Sequence, residues 1–370
     1  MEFELSKPQK LLQKSARELF ARVCPMTRIR ESLADDKVLH AELWSEVADQ
    51  GWPGIHLPEE AGGLGLGVVD LVAVAEEMGR ACFPGSFLGP VWAATLVAQA
   101  KPESKFLQSL TAGELQGAVA LLEADASWNP ADVQLAAVKK DAGFTISGRK
   151  SFVSDAGAAG LLICVARVGQ ELILLAVPAK SAGVSITPTV GLDATRKLYD
   201  VTFENVAVDA DHVLATGEAA CAALERSMQV GTLVVCADML GGMQWILEDA
   251  VEYAKTRQQF GKVIGSFQAV QHMCADMLLW TESARSAIYF AAWALDAEPA
   301  SAARAVATAK VYTSDASREV ANRGVQVHGG IGFTWEHDLQ FYYKRSKASE
   351  ILFGDASFHR ARMAELVLDA

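Results

Sequence analysis

A chain of 370 residues, 51% of them hydrophobic, is long enough for two or three domains and too apolar to be disordered. Its 33 basic and 45 acidic residues give a net charge of −12, which argues against nucleic acid or an anionic membrane as the main partner. We see no apolar run near the ~18 residues that span a bilayer, no signal peptide and no CxxC pair among six cysteines. We therefore expect a cytoplasmic protein with reduced, mostly buried thiols.

Residues 1–112 are predicted to form a helical domain. Apolar residues recur at helical spacing in Leu11–Val23, Lys37–Gln50 and Val68–Arg80. The glycine-rich segment Leu57–Gly67 separates the second helix from the third and predicts a turn.

Residues 113–217 are predicted to form a small β domain, because short apolar runs bounded by Gly, Ser and Asp replace the helical period. The predicted strands are Ala118–Leu122, Phe144–Ile146, Leu161–Ala166, Leu172–Val177 and Val201–Val208.

The helical period returns in residues 218–370. One apolar face runs from Val235 to Ala254, and Ala302–Val325 is a second long helix. The last helix is predicted over Ser357–Leu368. The order of helices, sheet and helices indicates an α+β fold with short linkers.

Arg257-Gln-Gln-Phe260-Gly261, followed by Gln268, is the most specific motif of the chain. A guanidinium can hold phosphate oxygens with two parallel hydrogen bonds. The alternative is an exposed arginine at a helix end, with Phe260 packed beside it. Tyr253 before the motif and Gln268 after it favour the phosphate interpretation.

Gln326-Val-His328-Gly329-Gly330-Ile-Gly332 follows 65 residues after Gly261. Its glycines permit a close approach of the backbone to a ligand, although an ordinary helix end could also carry them. His328 alone is typical of a packed histidine, and we predict no metal site.

These motifs, together with Tyr342–Arg345 and Phe353–Asp355, resemble the acyl-CoA dehydrogenase family over nearly the whole chain. The resemblance implies an N-terminal helical domain (1–112), a middle β-barrel domain (113–217) and a C-terminal four-helix-bundle domain (218–370). It also implies FAD, an acyl-CoA substrate and an electron-transfer flavoprotein as electron acceptor.

The resemblance assigns flavin contacts to two groups of residues. Residues that reach the FAD of a neighbouring subunit would be Arg257, Phe260, Gln268, Gln326, Gly329 and Gly330. In Gly148-Arg-Lys150-Ser-Phe152-Val-Ser154, the resemblance places Phe152 and Ser154 beside the flavin ring. Arg196 with Val201–Val208 resembles a segment near the CoA entrance, but a half-buried strand explains it almost as well.

The family's catalytic glutamate would stand where this chain has Phe353, which cannot accept a proton. Other members carry the base on a helix, at positions that correspond here to Gly231 and Thr232, and neither can serve. The loop that normally contacts flavin and substrate is altered in Leu122–Trp128, where only Glu123 clearly survives.

The retained residues are those that a subunit lends to its neighbour, and the altered ones build its own pocket. We therefore predict a base-deficient subunit of a hetero-oligomer, similar to the small subunit of pimeloyl-CoA dehydrogenase or to steroid-degradation dehydrogenase subunits. One alternative is a self-sufficient homo-oligomer that uses a displaced base: Asp355 first, then Glu350 or Glu123. Asp355 is also a natural N-cap for the last helix. A second alternative is a flavoprotein or scaffold without dehydrogenase activity.

Overall fold

The computed structural model describes residues 4–33, 37–140 and 143–368. By its internal contacts the chain divides into two compact units. The first unit comprises Met1–Asp35, Val68–Pro84 and Thr232–Ala370, and the second comprises Asp36–Gly67 and Gly85–Gly231. The division into domains at residues 112 and 217 stays a prediction.

Eleven α-helices lie within the described residues. They are α1 (Lys7–Val23), α2 (Met26–Ser32), α3 (Lys37–Asp49), α4 (Val68–Arg80), α5 (Leu88–Ala100), α6 (Leu107–Thr111), α7 (Gly217–Thr256), α8 (Gln268–Ala297), α9 (Pro299–His328), α10 (Leu339–Ile351) and α11 (Ala356–Leu368). The strands are β1 (Gly117–Ala120), β2 (Ala137–Lys140), β3 (Gly143–Ser154), β4 (Leu161–Val168), β5 (Glu171–Pro178), β6 (Val184–Thr189), β7 (Leu198–Asp209), β8 (Val213–Thr216), β9 (Gln258–Gln259) and β10 (Lys262–Val263). The α+β architecture of helices, sheets and helices is confirmed.

The second unit contains the predicted β domain, which consists of two four-stranded sheets. Their strand orders are β1-β4-β5-β8 and β2-β3-β7-β6, and every pair except the parallel β1–β4 pair is antiparallel. Side chains from both sheets, such as Leu175 and Phe203, share one buried core. Alternate residues of each strand point into such a core, as two facing sheets require.

All five predicted strands are present, and three further strands of the β domain, together with β9 and β10 outside it, were not predicted. Strand β2 carries exposed lysines, β6 contains Pro188 between polar residues, and β8 has only four residues. They pair at sheet edges, where little apolar burial is needed and the sequence signal is therefore weak.

The first unit is helical and contains the C-terminal bundle built from α7, which enters this unit at Thr232, and from α8 to α11. Helix α7 holds an 18-residue window with a mean hydropathy of 1.5, which is long and apolar enough to cross a membrane by composition. The prediction that no apolar run approaches this length was therefore too strict. However, 83% of the window is buried inside the protein, as in the core helix of a folded domain.

Helices α4 and α7 cross in the first unit with their backbones almost in contact. A Cβ atom placed on Gly79 would lie 2.0 Å from the carbonyl oxygen of Asp238, and one on Gly241 would lie 1.9 Å from that of Glu76. Each helix thus uses one glycine to admit the other's backbone. Neighbouring Gly242 is different, because a Cβ there would meet only Tyr342, at 3.7 Å.

We expect Gly241→Ala to lower the free energy of unfolding by about 1–3 kcal/mol or more, because the helices must separate to admit the methyl group. Gly242→Ala is the matched control and should be neutral or stabilise by up to ~1 kcal/mol, since alanine is the better helix former. Urea unfolding followed by circular dichroism measures both values. Equal destabilisation by the two variants would contradict a glycine-dependent crossing.

The cysteines agree largely with the prediction of reduced, buried thiols. All six lie in the described part of the chain and none forms a disulfide bond: Cys24, Cys82, Cys164 and Cys236 are buried, Cys274 is partly exposed and Cys221 is exposed. Burial raises the pKa of Cys164 and Cys236 to about 11, which keeps both thiols protonated at neutral pH.

Candidate functional site

Arg257 directly follows the end of α7 and opens a short hairpin in the first unit. Its backbone N–H donates to Tyr253 O at 2.8 Å, and its carbonyl accepts from the N–H of Ile264 at 2.8 Å, so the backbone is fixed at both ends of the hairpin. Its side chain is exposed. Among the described residues no hydrogen bond or ion pair engages the guanidinium, which leaves its donors available to a ligand.

Phe260 occupies the tip of this hairpin, which joins β9 to β10. Phe260 has φ +52° and Gly261 has φ +77°, so the two-residue turn has both central residues in the left-handed region. That conformation is uncommon for a bulky residue. Phe260 is nevertheless 91% exposed, and its ring lies edge-to-face with that of Phe267, with ring centroids 6.1 Å apart. An exposed aromatic ring on a strained tip is typical of a contact made with another molecule.

The second glycine motif forms the end of α9 and the turn after it. Gln326 is exposed on the last turn of the helix, and the short 3-10 turn Gly329–Phe333 follows. Gly329 has φ +66°, and a Cβ added to Gly329 or Gly330 would meet no atom within 4 Å. The two glycines therefore leave open space over an exposed backbone, which suits close approach by a flat ligand.

A ring contact joins the two motifs. Tyr253 lies one helical turn before Arg257, His328 lies two residues after Gln326, and their ring centroids are 4.5 Å apart. The structure thus brings the end of α7 and the end of α9 together, and the six predicted flavin contacts in this unit are all exposed in the single chain. Gln268 is the first residue of α8, just after the hairpin.

His328 has two further neighbours that the sequence reasoning missed. Asp249 Oδ2 lies 3.1 Å from His328 Nε2, and the ring of His337 lies tilted against the same ring with centroids 4.7 Å apart. Asp249 and Tyr253 lie four residues apart on α7, and Arg257 follows after four more residues, just beyond the end of the helix. That spacing was the available signal, because it places Asp249 and Tyr253 on one helix face.

Phe353 fills the position where the resemblance implies a base. It is 1% exposed, has φ +59° and is followed by Gly354 at φ +94°. Its carbonyl accepts a hydrogen bond from His359 Nε2 at 2.9 Å. Burial lowers the pKa of His359 to about 4, so this ring is neutral at pH 7. Phe353 is thus a packed side chain of the first unit, without a proton acceptor of its own.

The two carboxylates nearest to Phe353 in sequence have structural partners. Asp355 Oδ1 accepts from the backbone N–H of Phe358 at 2.8 Å, as an N-cap of α11 does. Glu350 Oε1 accepts from Arg318 at 3.3 Å. The capping interpretation of Asp355 is therefore observed, and its catalytic role stays a prediction.

Phe152 and Ser154 lie in the second unit, at the end of β3. The pairing of β3 with β7 shifts between Lys150 and Val153, and Phe152 sits in this bulge with φ +55° and 39% exposure. The pairing resumes at Val153, and Ser154 pairs opposite Leu198 and is partly exposed. A bulge that turns an aromatic ring outward from a regular strand is typical of a functional position.

Glu123 holds the altered loop against β3. It accepts from Lys150 Nζ at 2.7 Å and from the backbone N–H groups of Gln134 and Leu135, both at 2.9 Å. Burial alone would raise the pKa of Glu123, but the hydrogen bonds from Lys150 and Leu135 outweigh it and the pKa is lowered. Because Lys150 is fully buried, Glu123 acts as its counter-ion, which argues against a role as the displaced base.

A cavity of about 720 Å³ in the first unit lies between α1, α4, α7 and α8. Glu76 is buried in its wall and accepts from Tyr289 at 2.7 Å and from Gln13 at 3.2 Å, and it also pairs with Arg285. None of the predicted site residues lines this cavity. The predicted site residues therefore lie at the surface or, in the case of the Phe353 position, in the buried core, and not in this cavity.

Three family models match successive parts of the chain. The N-terminal domain of acyl-CoA dehydrogenase matches residues 6–114, the middle domain residues 118–206, and the C-terminal domain residues 221–368. The order and positions of these matches agree with the helix, sheet and helix order of the structure.

Individual relatives extend over almost the full chain. The acyl-CoA dehydrogenase IpdE2 of Mycobacterium tuberculosis is 29% identical, over 92% of this chain and 91% of its own length. Butyryl-CoA dehydrogenase from Megasphaera elsdenii superposes with a TM-score of 0.90 at 26% identity, and the ChsE4–ChsE5 complex of M. tuberculosis with 0.89 at 26% identity; each match covers both chains completely. The protein belongs to the acyl-CoA dehydrogenase family, whose members are oxidoreductases acting on CH–CH groups.

Proposed function

We propose that this chain is the base-deficient subunit of a hetero-oligomeric, FAD-dependent acyl-CoA dehydrogenase. The observation that carries the proposal is the contrast between Phe353 and Arg257. The position of the usual base is a buried phenylalanine, whereas the guanidinium that would hold a neighbour's cofactor is exposed and without a partner among the described residues.

FAD fits the surface formed by the first unit. The pyrophosphate of FAD is anionic, and Arg257 offers a fork of donors for it. Gly329 and Gly330 leave their backbone open to a flat or extended group. When bound, FAD supplies the acceptor for the hydride that leaves the β-carbon of the thioester.

Desaturation also needs a carboxylate to take the α-proton. Phe353 cannot do so, and Glu350 and Glu123 are engaged in ion pairs with buried or partly buried cations. The base would therefore come from the partner subunit, which would also bind the acyl-CoA. This chain would hold the partner's FAD with Arg257, Phe260, Gln326 and the Gly329–Gly330 turn.

The ChsE4–ChsE5 complex supports this kind of assembly, since a chain that superposes on this one belongs to a complex of two differently named proteins. An electron-transfer flavoprotein as acceptor and a cytoplasmic location are part of the same proposal. A steroid or dicarboxylate thioester is the substrate class suggested by the resemblance to heteromeric members.

A self-sufficient homo-oligomer that uses Asp355 is the second candidate. The N-cap bond to Phe358 disfavours it, because a catalytic carboxylate at this position would have to give up that bond and turn away from the helix. A scaffold without dehydrogenase activity is a third candidate. It is favoured only by the absence of a base at position 353.

The test is to purify the chain alone and together with a base-bearing acyl-CoA dehydrogenase subunit from the same genome. We expect the chain alone to hold little FAD and to desaturate no acyl-CoA, and the co-expressed pair to hold FAD and be active. Visible absorption gives the flavin content and a dye-linked assay gives the activity. Stoichiometric FAD and full activity in the isolated chain would favour the homo-oligomer instead, and an inactive, flavin-free pair would favour the scaffold.

A further inference from the structure

Two histidines and an aspartate from three segments of the first unit meet at the end of α9. Asp249 lies on α7, His328 is the last residue of α9, and His337 precedes α10. One ligand atom from each of the three lies within 4.8 Å of the other two. The side chain of His328 is fully buried, whereas those of Asp249 and His337 are partly buried.

The hydrogen bond at Nδ1 fixes the place of one proton on the His328 ring. Nδ1 lies 2.8 Å from the carbonyl oxygen of Gly324, and a carbonyl only accepts, so Nδ1 carries a proton. A ring with this single proton presents the Nε2 lone pair to Asp249 Oδ2, 3.1 Å away. The two atoms do not form a hydrogen bond with each other. Both are buried, and neither has a hydrogen-bond partner among the described residues.

Two buried lone pairs that face each other are unfavourable unless a positive charge lies between them. That charge is either a second proton on His328 or a cation. Histidines that bind metals usually donate their other ring N–H to a carbonyl or carboxylate, as His328 does to Gly324. With metal–ligand bonds of about 2.0–2.2 Å, two ligand atoms lie roughly 3.0–3.5 Å apart, and the observed separation of 3.1 Å falls in this range.

His337 provides a third, less complete position. Its Nε2 lies 3.9 Å from Asp249 Oδ2, and its Nδ1 accepts from the backbone N–H of Leu339 at 3.1 Å. In the neutral ring the proton is therefore on Nε2. If Nε2 binds the metal, the proton of the neutral ring moves to Nδ1. The hydrogen bond from the Leu339 N–H to Nδ1 is then lost.

We propose that Asp249, His328 and His337 bind a divalent transition-metal ion such as Zn²⁺. Imidazole nitrogens with one carboxylate suit this class of ion. The site would be structural: it would tie α7 to the end of α9 and to the start of α10, and so fix both ends of the Gly329–Phe333 turn. The proposal does not depend on the proposed function of the chain.

The test uses untagged protein that carries Cys221→Ser, because the exposed Cys221 thiol could bind zinc by itself. After treatment with a chelator, the protein is titrated with ZnCl₂ at pH 7.5 by isothermal titration calorimetry. We expect about one zinc ion per chain. His328→Gln and Asp249→Asn should each weaken binding by at least about tenfold, and His337→Gln by less. His272→Gln is the control, since this exposed histidine lies on α8 outside the cluster.

Circular dichroism checks that each variant is folded, and Co²⁺ gives a second readout through visible absorption that should change in His337→Gln. Because His337 is partly exposed, this variant tests the site even where Asp249→Asn does not fold. Absence of saturable zinc binding would overturn the proposal, and so would equal binding by the Cys221→Ser parent and by His328→Gln. The pair would then be an imidazolium–carboxylate pair.

Discussion

Replacing Arg257 by alanine is expected to strip FAD from the assembled oligomer while leaving the oligomer intact. A charge-assisted hydrogen bond contributes about 1.5–3 kcal/mol, which corresponds to FAD affinity weaker by roughly 10- to 100-fold. The side chain is exposed, so the substitution should disturb little else in the first unit. The ratio of flavin absorption to protein absorption, measured after size-exclusion chromatography, gives the result.

Two variants control this experiment. Arg257→Lys keeps the charge but loses the planar fork, so an intermediate flavin content is expected. Arg304→Ala removes another exposed arginine, at the opposite end of α9 from Gln326, and should leave the flavin content unchanged. Full flavin content in assembled Arg257→Ala protein would show that this residue does not hold the cofactor.

Replacing Asp238 by alanine is expected to destabilise the first unit by about 3–5 kcal/mol, the largest effect that we expect on stability. Asp238 on α7 and Arg345 on α10 form a bidentate pair at 3.1 and 2.6 Å, with both side chains only 7% exposed. Arg345 also donates to the carbonyl of Phe83 at 2.9 Å. Removal of Asp238 takes a bidentate carboxylate away from a buried guanidinium. Urea unfolding measures the loss.

Lys14→Ala is the control for this prediction, because it breaks the exposed Lys14–Glu18 pair at 3.8 Å, and exposed pairs contribute little. The double variant Asp238→Leu/Arg345→Met should recover part of the lost stability, since an apolar pair can replace a buried ion pair. A loss in Asp238→Ala no larger than that in Lys14→Ala would mean that solvent reaches Arg345.

The sequence predicted the elements whose apolar residues follow a clear period. Helix α4 was predicted with its observed ends, and α1, α3, α9 and α11 within a few residues. Helix α5 was missed because it is buried on nearly every side and so shows no polar face from which to read a period.

The candidate site was predictable where a motif is continuous in sequence. The side chains of Arg257, Phe260 and Gln326 are exposed, as contact with the FAD of a neighbouring subunit would require. The N-cap role of Asp355 was also predicted. The Asp249–His328–His337 cluster was not predicted. Its members are 79 and 9 residues apart, and only the packing of three helices brings them together.

The discontinuity of the first unit sets the order in which it can fold during synthesis. Helices α1 and α4 leave the ribosome early, but their partners in α7–α11 begin about 150 residues after Pro84. At a synthesis rate of roughly 5–20 residues per second, it takes on the order of 10–30 s after α4 is made before α7 is available to pack against Gly79. Helix α1 can pack against α4 during that time, but the surface of α4 that meets α7 and α8 would stay exposed to solvent in the nascent chain.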